Sequence, residues 1–487
     1  MNACNILCRL NFARSGCKGE FMTEVDAIFE PKTAVLIGSS RVKEKVGMAS
    51  PHLFNNVTHN MKKMFRGKTR VLDTEGKLGA TDLRDFPETP DLAVIMLPPG
   101  QSIAEAENCA KAGVRAMVMI TGGYKNAQRQ RLLKVKQKYD IRILGPNTIM
   151  GVVNTSNGLN TTFERNLMPK KGRIAIISQS GGVGACLLDW ACFYHVGISK
   201  LAFVGDKIDI DDVDLLRYFG QDKSTSVICL YMEGTKNGRA FIETAYKIVK
   251  KKPIVVLKGG LTEESAKRAV SHTSSIAGRD EIFSAALKKA GIIRVENIEE
   301  LMNAGIALSK QPPMKGDNVA IVSNVGGPAI LAADAVVRNG LKLANLSAST
   351  KKEIEQTYPG VDASNPIDMI ADARAERYSK VLELVLGDRN VNGILVINML
   401  KSTFFTPEDS RTIAKVLKKY PGKPLVDVPA GGEDFDRVYR VLGNSEVPLY
   451  NLPEKGVKAL RVLRLYGKIL KKHQLYFPHP ADSSFII

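Results

Sequence analysis

At 487 residues the chain has room for about three domains of ordinary size, and 44% hydrophobic with 24% charged residues is the balance of a water-soluble globular protein. No apolar run approaches the ~20 residues that cross a bilayer, which excludes a helical membrane span. The formal charge of +19 is spread along the whole length, with only short clusters such as Lys250-Lys251-Lys252 and Lys471-Lys472, so it favours small anionic substrates over a nucleic-acid groove.

Residues 1–21 are basic, carry Cys4, Cys8 and Cys17 and precede Met22; they read as a tail or a misplaced start. From Phe29 onward, strand-like runs alternate with helical stretches, the pattern of parallel α/β domains. Strands are expected at 33–38, 92–97 and 116–121 in a first unit spanning 22–155. A second unit, 165–310, has strands at 173–178, 201–205, 227–232 and 253–258 and closes with a helix near 298–308. The segment Lys310-Gln311-Pro312-Pro313-Met314-Lys315-Gly316 is the best boundary. A third unit, 317–453, has strands at 318–323, 393–398, 424–428 and 448–452; a basic amphipathic helix at 454–473 and a tail to residue 487 follow. Seven scattered cysteines make no disulfide framework, and Cys186, Cys192 and Cys229 lie in apolar stretches, so a reducing, cytoplasmic setting is expected.

A stretch of nineteen residues occurs twice, at 173–191 and 318–336, 145 positions apart. In both copies a β-branched apolar run ends in Ser, a Gly-Gly pair follows, and a small-residue helix begins, so Gly181-Gly182 matches Gly326-Gly327. Such a turn leaves the first N–H groups of the helix pointing outward at the positive end of its dipole, which makes an anion site. Two copies predict two helix N-termini facing one phosphate.

The run Val35-Leu36-Ile37-Gly38-Ser39-Ser40-Arg41 is a strand ending in a small-residue turn, without the full G-x-G-x-x-G fingerprint. It predicts a Rossmann-like crevice with an arginine for phosphate. NAD and coenzyme A share an ADP portion, so the turn leaves both open. Among six histidines, His272 stands in a loop of small and hydroxyl residues, Ala269-Val270-Ser271-His272-Thr273-Ser274-Ser275. A phosphoryl-accepting histidine needs one free nitrogen and an acceptor for its other N–H. Glu233, at the carboxyl end of a strand of the same sheet, suits that role, with a surface pair to Lys236 as the plainer reading.

The segments SHTSSIAG, YMEGTKNGR, LGPNT, ISQSGGVGA and SNVGGPA resemble the α subunit of the NDP-forming acyl-CoA synthetases, in particular the ADP-forming acetate–CoA ligases, over roughly 25–455. The resemblance implies a Rossmann-like CoA-binding domain followed by two flavodoxin-like domains. It implies phosphorylation of His272, with Glu233 holding the imidazole. Phosphate falls to Ser178, Ser180, Gly181, Gly182, Asn324, Gly326 and Gly327, and coenzyme A to Gly38, Ser39, Ser40 and Arg41 with Asn147. The implied reaction converts acyl-CoA, ADP and phosphate into acid, coenzyme A and ATP. No stretch reads as an ATP-grasp domain, so a separate β subunit in an α2β2 assembly is expected to hold most of the ADP or ATP and Mg2+; no nucleic acid or membrane is expected to take part.

Three positions depart from the family pattern: Ser39 for Ala in the first turn, Ser274 for Gly after the histidine, and Asp206 for Asn in Gly205-Asp206-Lys207-Ile208-Asp209. The last adds a negative charge expected to weaken anion binding. The other readings are a non-catalytic CoA- or nucleotide-binding regulatory protein, with no use for His272, and an NAD-dependent dehydrogenase, disfavoured by the incomplete fingerprint. The acyl group is not legible.

Overall fold

The computed structural model describes residues 25–41, 49–262, 264–265, 280–402 and 404–476. Three sheets follow one another along the chain. The first has β1 (Thr33–Gly38), β2 (Lys68–Asp73), β3 (Leu92–Ile95), β4 (Ala116–Met119) and β5 (Arg142–Leu144) in the order β2-β1-β3-β4-β5. All its pairings are parallel. Every residue of β1, β3 and β4 is buried, because helices cover both faces of a parallel sheet, and that is why these strands read as unbroken apolar runs.

The second sheet comprises β6 (Val152–Asn154), β7 (Leu159–Asn160), β8 (Lys171–Ser178), β9 (Ile198–Phe203), β10 (Val227–Met232), β11 (Ile254–Lys258) and β12 (Ile293–Val295). Its order is β12-β11-β10-β8-β9-β6-β7, parallel except where β6 pairs with β9 and β7. The third contains β13 (Asn318–Ser323), β14 (Lys342–Leu343), β15 (Ile367–Asp368), β16 (Gly393–Asn398) and β17 (Leu425–Pro429), in the order β14-β13-β16-β17 with β15 on β13. Each sheet is wound the same way. The chain leaves the central strand (β1, β8 or β13) for one neighbour and later returns on the other side, which opens a crevice at that strand's carboxyl end. All three glycine turns stand at these reversal points.

One expectation is corrected. The run at 448–452 is not a strand: Leu449 makes a single bridge to Asp427, and Pro453 already opens the next helix. A strand needs several paired residues, and only one is available there. The helix expected at 454–473 spans Pro453–Tyr476, and it packs against the helices Ile298–Lys310 and Gly326–Arg338 and against β16 and β17. Leu460 and Leu463 are fully buried in an apolar cluster shared by the second and third sheets.

The units are tied to one another. Lys310 Nζ donates to the carbonyls of Gly443 and Ser445, Leu425 N–H donates to Gln311 Oε1 at 2.8 Å, and Met314 is fully buried. Between the first and second sheets, Phe29 stacks on Tyr218 at 4.8 Å and Asn154 donates to the Phe29 carbonyl. Residues 1–21, the loop bearing His272 and the last eleven residues lie outside the described residues.

Candidate active site

At the carboxyl end of β8, Gln179 is buried and its amide makes four hydrogen bonds. Oε1 accepts the N–H groups of Glu233 (2.7 Å) and Gly234 (3.2 Å), and Nε2 donates to the Gly234 carbonyl (2.7 Å) and to Asp212 Oδ1 (2.8 Å). Asp212 in turn pairs with Lys207 at 3.2 Å, both fully buried, and Lys207 also donates to the Gly234 carbonyl. This polar floor fixes the backbone on which Glu233 stands. The Glu233 side chain is half-buried; Oε1 accepts the Tyr231 hydroxyl at 3.2 Å, while Oε2 is buried and takes no hydrogen bond among the described residues. Burial and the Glu233 carboxylate both push the Tyr231 phenol well above its ordinary range, so it remains a donor. Glu233 thus has one oxygen anchored and one buried but unpaired among the described residues. It makes no pair with Lys236, whose ammonium donates to the Lys207 carbonyl instead.

The sequence duplication is repeated in the hydrogen bonding. Ser178 Oγ donates to the Ser180 carbonyl at 2.7 Å, and Ser323 Oγ donates to the Val325 carbonyl at 2.8 Å. Asn324 is the counterpart of Gln179: it accepts from the Met399 N–H (2.9 Å) and donates to the Met399 carbonyl (3.1 Å), pinning the end of β16 as Gln179 pins the end of β10. The Asn324 amide is buried and bound to the backbone at Met399 through its oxygen and one of its two N–H groups. Gln179, the Lys207–Asp212 pair and Tyr231 were not singled out in the sequence; the only signal for Gln179 was its alignment with Asn324 in the repeat.

The helix after the first turn, Gly181–Phe193, is capped by Ser180, whose Oγ accepts from Val183 N–H at 3.3 Å. The helix after the second, Gly326–Arg338, begins after Val325 and has no side-chain cap, so its first amides are open. None of Gly181, Gly182, Gly326 and Gly327 has positive φ. A Cβ on Gly326 or Gly327 would meet nothing within 4 Å, and one on Gly182 only Ser180 Oγ at 4.0 Å. Gly184 is different, since its Cβ would overlap the Phe203 ring. Packing thus explains glycine at 184 and bears on 181, where a Cβ would come within 3.3 Å of Ile149, but not at 182, 326 or 327, where the space is clear.

In the first sheet, Gly38 lies against the Phe54 ring, and Ser40 N–H donates to Asp73 Oδ1 at 2.9 Å. Asp73, at the end of β2, also accepts the N–H groups of Glu75, Lys77 and Leu78. Dinucleotide folds use an acidic residue near there for the ribose hydroxyls; Asp73 is fully occupied by backbone, which argues against NAD. Arg41 is exposed, and the buried Ser40 Oγ has no hydrogen-bond partner among the described residues, so the turn fits an anionic ligand. Asn147 donates to Asp206 Oδ1 at 3.2 Å, and Arg129 holds Asp206 Oδ2 through Nε (2.9 Å) and Nη2 (2.6 Å). The extra charge of Asp206 is therefore neutralised in place, which corrects the expectation that it opposes an anion.

Among the described residues no group of three or more His, Cys, Asp or Glu could hold a metal ion, and no described helix is long and apolar enough to cross a membrane. Family models match residues 32–154 as a CoA binding domain, 171–308 as a succinyl-CoA ligase like flavodoxin domain and 319–460 as a ligase-CoA domain. The chain is 35% identical to the α subunit of acetate–CoA ligase (ADP-forming) II of Pyrococcus furiosus, over 90% of this chain and 97% of that one. It is 34% identical to acetate–CoA ligase (ADP-forming) I of Archaeoglobus fulgidus, over 93% of this chain but only 65% of that relative's length. Among solved structures, acetyl-coenzyme A synthetase 1 of Ca. Korarchaeum cryptofilum, in complex with phosphate and ADP, superposes with a TM-score of 0.82 at 30% identity, covering 92% of this chain and 98% of that one. These ligase relatives exclude the dehydrogenase reading and favour an enzyme over a non-catalytic binder. With three matched domains and relatives of equal extent, the chain belongs to the ADP-forming acetate–CoA ligases, as a chain of their α-subunit type.

Proposed function

We propose that the chain catalyses the acyl-transfer and phosphohistidine steps of an ADP-forming acyl-CoA ligase, with acetyl-CoA as the first substrate to test. The carrying observation is the open, buried Oε2 of Glu233 at the reversal point of the second sheet, on a backbone fixed by Gln179. Phosphate attacks the thioester carbonyl, the C–S bond breaks, and coenzyme A leaves with acyl phosphate remaining. Neutral His272 then attacks phosphorus; the bond to the acyl oxygen breaks and its electron pair departs on the carboxylate. Glu233 accepts the other imidazole N–H and so fixes the tautomer and stabilises the charge that develops. The outward amides at Gly181-Gly182 and Gly326-Gly327 stabilise the transferring group without reorganisation.

Gly38, Ser39, Ser40 and Arg41 would hold the phosphates of coenzyme A, with Asn147 acting through Asp206. Phosphohistidine is discharged on ADP, which with Mg2+ belongs to a separate ATP-grasp subunit in an α2β2 cytoplasmic enzyme. The support is that relatives of this extent are named α subunits, while the A. fulgidus relative carries a further third on one chain. Incubating the chain with that partner and ATP should place acid-labile phosphate on His272, and His272→Ala should abolish it together with turnover. Normal turnover in His272→Ala would refute the reading.

A further inference from the structure

A cavity of about 420 Å³ lies between the second and third sheets, away from the site described above. Its walls are the amino end of β8 and the residues just after the helix Gly181–Phe193, so the length of that helix, ~20 Å at 1.5 Å per residue, separates it from the Gly-Gly turn. The opposite wall comes from the helix Glu433–Leu442 and the segment that follows it. The volume is that of a small-molecule site, and a junction between domains is where such sites occur.

Flat side chains line it. Trp190 and Tyr194 lie 4.5 Å apart, Phe435 and Tyr439 lie 5.9 Å apart, and the Tyr439 hydroxyl reaches across to the His195 carbonyl at 3.1 Å. The charge is unbalanced. Five cations border the cavity against two carboxylates, and both carboxylates are already paired, Glu446 with Arg173 and Glu299 with Lys455, each at 2.5 Å. Lys310 is bound to backbone carbonyls on one wall, and burial lowers its pKa to about 8, an effect that Glu446 opposes and Arg173 and Lys170 reinforce. Lys170 and Lys171 are left on the rim, exposed and without a carboxylate partner among the described residues. Tilted aromatic rings below a surplus of positive charge favour a planar ring that carries a multiply charged anion.

We propose that this cavity is a second ligand site that takes a nucleoside phosphate, its base against Trp190 and Tyr194 and its phosphate on Lys170 and Lys171. The site is independent of the phosphohistidine reading, and an occupant would bridge two domains and stabilise the pair in proportion to its saturation.

Trp190 is the sole tryptophan of the chain, so its emission reports on the cavity alone. The full chain is titrated with AMP, and separately with adenosine and with inorganic phosphate. The expected result is a saturable change with AMP at sub-millimolar concentration, and about tenfold or weaker binding of adenosine and of phosphate. The double variant Lys170→Glu, Lys171→Glu should weaken AMP by about tenfold or more with its ligand-free melting temperature unchanged. Calorimetry on the same samples covers binding that leaves emission unaltered. Absence of AMP binding by both methods, equal affinity for adenosine, or equal affinity in the double variant would each overturn the proposal.

Discussion

Replacing Gly327 with alanine separates what the fold needs from what the chemistry needs. Gly326 and Gly327 open the helix Gly326–Arg338 with no positive φ, and a Cβ there meets nothing within 4 Å. Alanine is the better helix former, so Gly327→Ala should leave the fold intact or stabilise it by up to about 1 kcal/mol. Every Cβ of a helix tilts towards its amino end, so the new methyl projects into the space where the amides would meet phosphate. Losing one preorganised donor to a transferring group costs about 10²–10³ in rate, or roughly 3–4 kcal/mol, so the two effects have opposite signs and the kinetic one is larger. The assay is the single-turnover rate of His272 phosphorylation with the partner subunit, beside the melting temperature. Gly184→Ala is the control, because its methyl overlaps the Phe203 ring and should cost about 1–3 kcal/mol of stability. A folded Gly327→Ala protein that phosphorylates at the normal rate would show that the second copy of the repeat carries no phosphate.

Glu233→Gln should slow phosphorylation by orders of magnitude while coenzyme A binding, read by calorimetry, stays within about twofold; an unchanged rate would leave Glu233 a surface acid. Gln179→Leu strands the N–H groups of Glu233 and Gly234, each costing about 1–3 kcal/mol when buried and unpaired, so chemical denaturation should show lower stability and the phosphorylation rate should fall with it. Retention of both would mean that Glu233 is positioned without Gln179. Burial raises the Asp427 carboxyl to about 8, with Asn398 donating to it at 2.5 Å. Its unfolded pKa is about 3.9, so the folded state binds the extra proton; its contribution is full below about pH 4 and is lost as pH rises through about 8. Asp427→Asn should therefore flatten stability between pH 5 and 8.5, measured as urea midpoints, and an unaltered slope would refute the assignment.

The strands legible in the sequence were those buried on both faces. β1, β10, β13 and β16 begin and end where their apolar runs do, because a strand covered by helices on both sides can tolerate few polar residues. The run at 448–452, Pro448-Leu449-Tyr450-Asn451-Leu452, failed: it holds a proline and no β-branched residue, and the helix starting at Pro453 leaves room for one bridge. The Gly-Gly repeat and Glu233 at a strand end were readable because turn and strand end are local properties. Gln179 and Asn324 were not, because each acts on backbone 54 to 75 positions further along. The charge of Asp206 looked adverse for the same reason: its answer, Arg129, lies 77 positions earlier in another unit. Nor could the sequence show that the terminal helix is core, which is decided by the apolar faces of Ile298–Lys310 and Gly326–Arg338 meeting it between two sheets. The sequence by itself determined the α/β class, the fully buried strands and the positions of the Gly-Gly turns, all set by short-range sterics and apolar patterning, while the strand order and the short edge strands came only with the tertiary structure. The tertiary structure alone decided which polar groups are spent on holding the fold and which, such as Glu233 Oε2, are left without a partner among the described residues, because hydrogen-bond satisfaction depends on distant segments brought together.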